Sequence, residues 1–517
     1  MTDRLSMDVD IVCVGFGPAT AGFLTTISKA TDLPPLQIVC YERAEDIGFG
    51  VSGVVTRARG IRASLPDLDP AHIPMATPVT SEKVVYLRDP ARSRNAVELP
   101  YIPPFLRKHD GLVMSIGQFL QYAGGQIMGV GIAQIWPGMP VEQALVENGR
   151  VCGVRLMDQN GEPGMDVRAP LTVIGDGPVG AVGRQLADRA ADEWAVGMKM
   201  VVDLPEGCAL AAGTVLHTFG YPEAEIFGFL YVHPGNVASV GIFVPSWMQA
   251  PAQSAYQYLQ YFMLHPYVWQ HLKGGRLRSW GAKSLNESGR AAEPLLAGDG
   301  FARIGEGSGS TNMLTGSGVD EAWSTGAQLG EGVVELLREG KPLTRENIEA
   351  VYVARRRASW VEQEAKVAEH ARDGFHYGML PGLLGMALAG FTGGRLALRG
   401  KPRPATDSPP RPRQWPTIPY DGQLLVSHQD ALLMGGKVQA PGGFADHVRF
   451  LDPNVCERCA LKRCIQMCSG QAIAAGDGPV PSFDREKCVH CGACLWNCRH
   501  GVLAFQAGAG GLHSSEN

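Results

Sequence analysis

Eight of the twelve cysteines of this 517-residue chain lie between Cys456 and Cys498. They form two runs, Cys456-x-x-Cys459-x4-Cys464-x3-Cys468 and Cys488-x-x-Cys491-x-x-Cys494-x3-Cys498. Thiolates two residues apart on a tight loop reach different irons of one cubane, and a fourth cysteine three residues on points toward the neighbouring cluster. The spacing therefore predicts cross-ligation. Cys456, Cys459, Cys464 and Cys498 would hold one 4Fe–4S cluster, and Cys488, Cys491, Cys494 and Cys468 the other. Zinc is the competing metal, because four cysteines also close a tetrahedral site. Zinc sites, however, come as two pairs rather than two runs of four. A disulfide framework would need an oxidising compartment, and nothing in the sequence points to export. The proline that commonly follows the fourth cysteine is replaced by Ser469 and Arg499.

The length leaves room for about three domains. With 45% hydrophobic residues the chain can bury an ordinary core. A net charge of −5 gives no case for nucleic acid as a partner. The N-terminus, MTDRLSMDVDIVCVGFG, reaches its first strand within about ten residues, which leaves no space for a signal or transit peptide and predicts a reducing, cytoplasmic location. Cys13, Cys40, Cys152 and Cys208 sit in apolar surroundings and read as buried thiols without chemistry.

Asp8 to Val14 is an apolar, β-branched run of the kind that forms a buried parallel strand. Gly15-Phe-Gly17-Pro18-Ala19-Thr-Ala-Gly22 follows, then a helical pattern to Lys29. Glycines here allow a tight turn and let the backbone approach a pyrophosphate at the helix N-terminus. A second strand, Leu36 to Tyr41, ends on Glu42, placed to hydrogen-bond the ribose of an adenosine. The small-residue turn from Ile47 to Gly53, with Gly48 and Ser52, falls where the chain would pass a flavin. Ser115 to Met128 reads as a core helix, and Asn148-Gly149 and Asn160-Gly161 bracket a small hairpin sheet.

Leu171 to Ile174 predicts a strand running into Gly175-Asp176-Gly177-Pro-Val-Gly180 and a helix to Asp192. Two readings stand: a second, NAD(P)H-binding fingerprint, or an Asp-Gly turn against the first cofactor. The second is favoured, because no acidic residue ends a strand about 20 residues on. Residues 193–295 alternate strands and turns, which predicts a mixed-sheet domain inserted in the nucleotide domain. Phe301 to Ile304 resumes a buried strand. It leads through Gly305-Glu306-Gly307 to Gly316-Ser-Gly318 and a helix to Glu339, whose N-terminus would stabilise negative charge on a reduced flavin. Leu380 to Gly394 is apolar and uncharged, and Arg395, Arg399, Lys401 and Arg403 follow. It is too short to span a bilayer. It fits an interfacial segment or a buried helix equally. The proline-rich residues 401–420 read as a linker.

These pieces, in this order, resemble the electron transfer flavoprotein–ubiquinone oxidoreductase family, including the flavoproteins of Fix-type electron-transfer systems. The resemblance rests on VCVGFGPATAG, YERAEDIGFGVSG, the Asp176-Gly177 turn, GGRLRSWGAKSLNESG, GEGSGSTNMLTGSGVDEA and CVHCGAC. It implies an α/β plus α+β protein. A Rossmann-like FAD domain of the aromatic hydroxylase type (1–192 and 296–375) would carry an inserted quinone domain (193–295). A membrane-contact segment (376–400), a linker (401–420) and a ferredoxin-like module (445–507) would follow. It implies FAD on Gly15, Gly17, Pro18, Ala19, Gly22, Glu42, Arg43, Gly48, Ser52, Asp176, Gly177, Glu306, Gly316 and Gly318, and a quinone at Gly274-Gly275. It also implies electron transfer flavoprotein or ferredoxin as donor, a membrane quinone as acceptor, and a place on the inner face of the cell membrane. The family's single cluster matches Cys468, Cys488, Cys491 and Cys494. The other four cysteines depart from the family and imply a dicluster tail. Two further readings of the same parts are a relay subunit of a Fix-type complex and an FAD-dependent reductase of an isoprenoid.

Overall fold

The computed structural model describes residues 4–48, 53–248, 251–400, 413–434, 437–439, 441–508 and 511–513. Ile11–Val14 pairs in parallel with Leu171–Ile174 on one side and Ile38–Tyr41 on the other. Phe301–Arg303 and Ala133–Trp136 extend this sheet in parallel, and Ala297–Gly298 closes one edge antiparallel. The Ile, Val and Leu runs are buried on both faces, as a parallel sheet covered by helices requires. The helix Pro18–Ser28 crosses the 20-residue helix Val319–Arg338 on small residues, so that their N-termini point to the same cavity. A third helix, Ile116–Val130, is capped by Ser115, whose hydroxyl accepts the Gln118 N–H at 3.3 Å.

A four-stranded sheet flanks this core, in the order Ser6–Asp8, Asp166–Arg168, Arg150–Leu156, Val141–Glu147. Asn148 and Gly149 both have positive φ, as do Asn160 and Gly161, which is what a two-residue hairpin turn demands.

The inserted domain is a seven-stranded sheet, most of whose members are longer than the strands of the parallel sheet, up to Arg276–Asn286 and Trp194–Asp203. Here the insertion is less simple than the sequence suggests. Ser81–Leu87 and Ala96–Glu98, which fall inside the segment assigned to the FAD domain, complete this sheet by pairing with Thr214–Phe219 and with each other. Val85 and Leu87 are fully buried in its core, and that burial fixes their allegiance. The linker also differs. Residues 401–412 lie outside the description, but from Arg413 the chain is packed. Arg413 covers Trp415, Trp415 leans on Tyr261, and Ile418 and Leu424 to Val426 join the sheet's core.

The helix expected to reach Asp192 ends at Gln185. The Arg303 guanidinium donates to the carbonyls of Gly183 and Leu186, taking acceptors that a longer helix would use itself. The cysteine module consists of short helices and two-stranded ribbons between residues 448 and 505. It wedges between the two larger bodies. Met467, Val489, Cys491 and Ala493 join the core of the seven-stranded sheet, and Val179 of the nucleotide domain packs into the module.

Candidate functional site

Two hollows organise the chemistry. The larger, of 470 Å³, lies between the nucleotide domain and the seven-stranded sheet. Gly15, Gly17, Pro18, Ala19, Glu42, Arg43, Gly48, Asp176, Gly177, Glu306, Gly316 and Gly318 all line it. Two further residues were expected there. Ser52 lies outside the described residues. Gly22 turns away from the cavity and lies against the Trp323 backbone, so its role is helix packing rather than ligand contact. Gly15 is needed for the turn itself: its φ is +81°, and a Cβ would stand 2.9 Å from the Gly175 carbonyl. Gly17, Gly177 and Gly316 have open space where a Cβ would be, which is the imprint of a ligand-facing cradle. Gly17 is the N-cap of Pro18–Ser28 and provides no side-chain cap, so the first amides of that helix are left for an anion. Together these features fit a dinucleotide.

Glu42 is held in place by two backbone donors. Its carboxylate accepts N–H bonds from Phe16 at 2.8 Å and Ala44 at 2.9 Å. That locks the acid at the strand end, with lone pairs left for a ribose. Asp176 accepts from the Gly183 amide at 2.9 Å, and burial raises its pKa. Glu306 accepts the Asn286 amide at 2.9 Å and is likewise raised by burial, partly opposed by Lys283. An acid at this place is a joint: it ties the glycine-rich turn to the end of the Arg276–Asn286 strand.

The sequence reading missed the opposite wall. Lys199, Lys283, Phe229, Phe243 and the ion pair of Glu287 with Arg372 (2.6 Å) all line the cavity from the inserted sheet and the helices after it. A lysine inside AVGMKMVVD was the available signal, since Lys is almost never fully buried without a partner. Gly274 and Gly275 line neither hollow. They sit in the turn before Arg276–Asn286, where Gly275 packs on the backbone of Asp203 and Leu272. An extended strand puts Lys283, at the cavity, roughly 25 Å from that turn.

The smaller hollow is lined by Cys456, Cys459, Cys464 and Cys498 together. This is the cross-run set. Cys498 reaches it because it follows the short helix Ala493–Asn497, which carries it away from the loop of its own run. The remaining four thiols are mutual neighbours. The Cys494 thiol is pushed far up by burial and then by Cys491, Cys488 and Cys468. Burial also raises Cys464 to about 12, with Cys498 and Cys459 adding to it. Thiols so placed ionise only against a cation, which is what a metal cluster supplies. His447 Nε2 lies 3.2 Å from Cys488 Sγ and stacks on His490 at 3.9 Å, a His–Cys–His trio that competes on paper for Cys488. Among the other cysteines, Cys13 and Cys40 are buried as expected, while Cys152 and Cys208 are half-exposed.

The inner four cysteines touch the wall of the larger hollow. Val179, two residues beyond Gly177, packs against Gly492 between Cys491 and Cys494. The Ser284 amide, next to cavity-lining Lys283, donates to the Cys491 carbonyl at 2.9 Å. The Arg43 charge acts on Cys488.

A family model described as ETF-QO, ubiquinone-binding matches residues 194–285, and a 4Fe–4S binding domain model matches residues 480–503. The chain is similar to an electron transfer flavoprotein–ubiquinone oxidoreductase of Pseudomonas aeruginosa. Identity is 28% over 387 residues, covering 70% of this chain and 69% of the relative. A mitochondrial protein of the same description from Arabidopsis thaliana is 26% identical over 538 residues, covering 95% and 81%. The resemblance read from the sequence is thus borne out. Among solved structures, a geranylgeranyl bacteriochlorophyll reductase-like protein from Thermoplasma acidophilum superposes with a TM-score of 0.53 at 16% identity, covering 74% of this chain and 96% of that one. A flavin-dependent brominase superposes at 0.50, also at 16% identity, covering 75% and 94%. At such identity these neighbours establish the fold, which is the expected flavoprotein type with an inserted mixed sheet.

Proposed function

We propose that this chain is an FAD- and iron–sulfur-dependent oxidoreductase that passes electrons from an electron transfer flavoprotein, or a ferredoxin-like donor, to a quinone. The observation that carries the reading is the unbroken contact from the outer four cysteines, through the inner four, to the dinucleotide cavity. Cys464 of the outer set and Cys494 of the inner set share one apolar cluster, and Val179 and Ser284 bridge the inner set to the cavity wall. A flavin exchanges one or two electrons and a cluster one, so the pair matches a one-electron donor to a two-electron acceptor.

The chain's own residues bind and orient. The free amides after Gly17 would face the pyrophosphate, and Glu42 the ribose. Asp176-Gly177 serves this same nucleotide, since Gly177 lines the same cavity as Gly17. The N-terminus of Val319–Arg338 would offset negative charge on the reduced ring. Two clusters, on Cys456, Cys459, Cys464 and Cys498 and on Cys468, Cys488, Cys491 and Cys494, would carry electrons singly.

The test uses anaerobically purified full-length protein, reduced electron transfer flavoprotein and a short-chain quinone. Steady quinone reduction is expected. Absence of turnover in a sample holding one FAD and about eight irons, the content of two cubanes, would overturn the reading in favour of a relay subunit.

The reading places the chain at a membrane surface. No helix among the described residues is long and apolar enough to cross a membrane. The helix Met379–Thr392 buries Gly382, Gly385 and Ala389 but exposes Leu380 (79%), Leu384 (54%) and Phe391 (62%) on its other side. Arg395 and Arg399 follow at its C-terminal end, where anionic headgroups would meet them. Co-sedimentation with anionic vesicles is expected at low salt. The triple change Leu380→Gln, Leu384→Gln, Phe391→Gln should weaken it by about tenfold or more, given the apolar area withdrawn. Full retention of the unmodified protein in the supernatant would remove the membrane role.

A further inference from the structure

The inner face of the seven-stranded sheet carries an unusual arrangement where it meets the cavity. Lys199 lies in the middle of the strand Trp194–Asp203, and its cross-strand neighbours are Gly241 and Gly281. One row over, Gly197 pairs with Phe243 and Lys283. The glycines leave room that rings occupy. A Cβ on Gly241 would stand 2.5 Å from the Phe229 ring, and one on Gly197 would stand 3.2 Å from the Phe243 ring. The two phenyl groups thus lie over the glycines. Their centroids are 5.4 Å apart and their planes inclined by 34°. Phe229 also stacks on Tyr231 at 4.6 Å.

Lys199 stands among them with 2% of its surface exposed. It lines the cavity, and its Nζ has no hydrogen-bond partner among the described residues. It comes close to the turn at Gly53, from the nucleotide domain, where a Cβ would meet Nζ at 2.9 Å and the Ser239 hydroxyl closer still. Burial holds its pKa well below the usual lysine value. An amine in that setting donates N–H in either charge state, and without an acceptor it costs stability. A donor retained at such cost serves a bound group.

We propose that Phe229, Phe243 and Lys199 form the seat of a planar, carbonyl-bearing aromatic ring, stacked on the phenyl groups and hydrogen-bonded at its carbonyl oxygen by Lys199 Nζ. The inference rests on the FAD reading above and deepens it. Two rings share this chemistry, the flavin itself and a quinone acceptor, and the test separates them. Lys199 is a positioning residue: it fixes the ring and makes or breaks no covalent bond.

The experiment compares the FAD-loaded full-length chain with Lys199→Met, Lys199→Arg and Phe229→Leu. Three quantities are read: thermal stability, the Kd for sulfite, which adds to the flavin and reports donors around its ring, and the KM for a short-chain quinone. Lys199→Met removes a buried amine that has no partner among the described residues, so its Tm should hold or rise. A flavin seat predicts sulfite binding weakened by about tenfold or more, the size of one hydrogen bond from a buried polar group. A quinone seat predicts unchanged sulfite binding and a KM raised by a similar factor at unchanged kcat. Lys199→Arg should recover part of either effect, and Phe229→Leu should move the same quantity. Unchanged sulfite Kd and quinone KM in both Lys199→Met and Phe229→Leu, at full FAD content, would overturn the proposal. Failure of the unmodified chain to bind FAD would instead overturn the reading beneath it.

Discussion

Cys498→Ser is expected to remove the cluster of the first cysteine run and leave that of its own. About half the iron should be lost, four of the eight atoms of two cubanes. The geometry behind this is direct. Cys498 lines one small hollow with Cys456, Cys459 and Cys464, though it follows Cys494 in sequence by four residues. Cys468→Ser should do the converse and strip the inner cluster. The two variants then part in function. With the outer cluster gone, the inner set still abuts the flavin cavity through Ser284 and Val179, and dithionite should still reduce a cubane whose spectrum is visible in frozen solution. With the inner cluster gone, the outer set faces a gap, and donor-driven quinone reduction should collapse to background. Zinc in place of iron, or loss from Cys498→Ser of the same cluster signal that Cys488→Ser loses, would sink the cross-ligated arrangement. A zinc held by His447, Cys488 and His490 would show itself as one zinc retained in Cys498→Ser and lost in Cys488→Ser.

What could be read from the sequence depended on whether a signal was local. Cysteine spacing and the strand–glycine–helix fingerprint are local: each is set within a few residues, and the structure gathers both sets as the spacing implies. Allegiance of a strand is not local. Ser81–Leu87 alternates as any half-buried strand does, and nothing in those seven residues says that Thr214–Phe219, far along the chain, is its partner. The helix after Gly180 fails for a related reason. Its residues favour a helix, but Arg303, from another strand, occupies the carbonyls it would need. The glycine pair at 274–275 came from resemblance alone, and strand geometry holds it away from the cavity. Lys199 was legible as an anomaly in an apolar run, yet only the register against Gly241 and Gly281 shows what surrounds it.

The largest effect away from the cysteines should come from one glycine. Gly326→Val is expected to destabilise the nucleotide domain by about 4 kcal/mol or more, at the far end of overpacking effects, and to empty it of FAD. A Cβ on Gly326 would overlap the Ala19 carbonyl and stand 2.9 Å from the Phe23 amide nitrogen. The obstruction is backbone, which cannot rotate aside as a flexible side chain would. Gly22 presses on the Trp323 backbone from the other helix, and a Cβ on Gly330 would lie 2.8 Å from Thr26 Cβ. The three glycines therefore form one seam that lets Pro18–Ser28 and Val319–Arg338 cross at backbone contact. Both helices begin at the cavity; in the proposed FAD reading one would offer amides to the pyrophosphate and the other to the ring. Forcing the seam open moves both N-termini at once, so FAD affinity should fall with Tm. The control is Gly125→Ala, on an exposed helix face where a Cβ meets nothing within 4 Å. It should stabilise by about 0.5–1 kcal/mol, the helix propensity difference alone. Calorimetry and flavin content on the two variants decide the matter. A Gly326→Val protein that keeps its Tm and its FAD would mean that the helices can separate without cost, and that the seam does not hold the two N-termini in place.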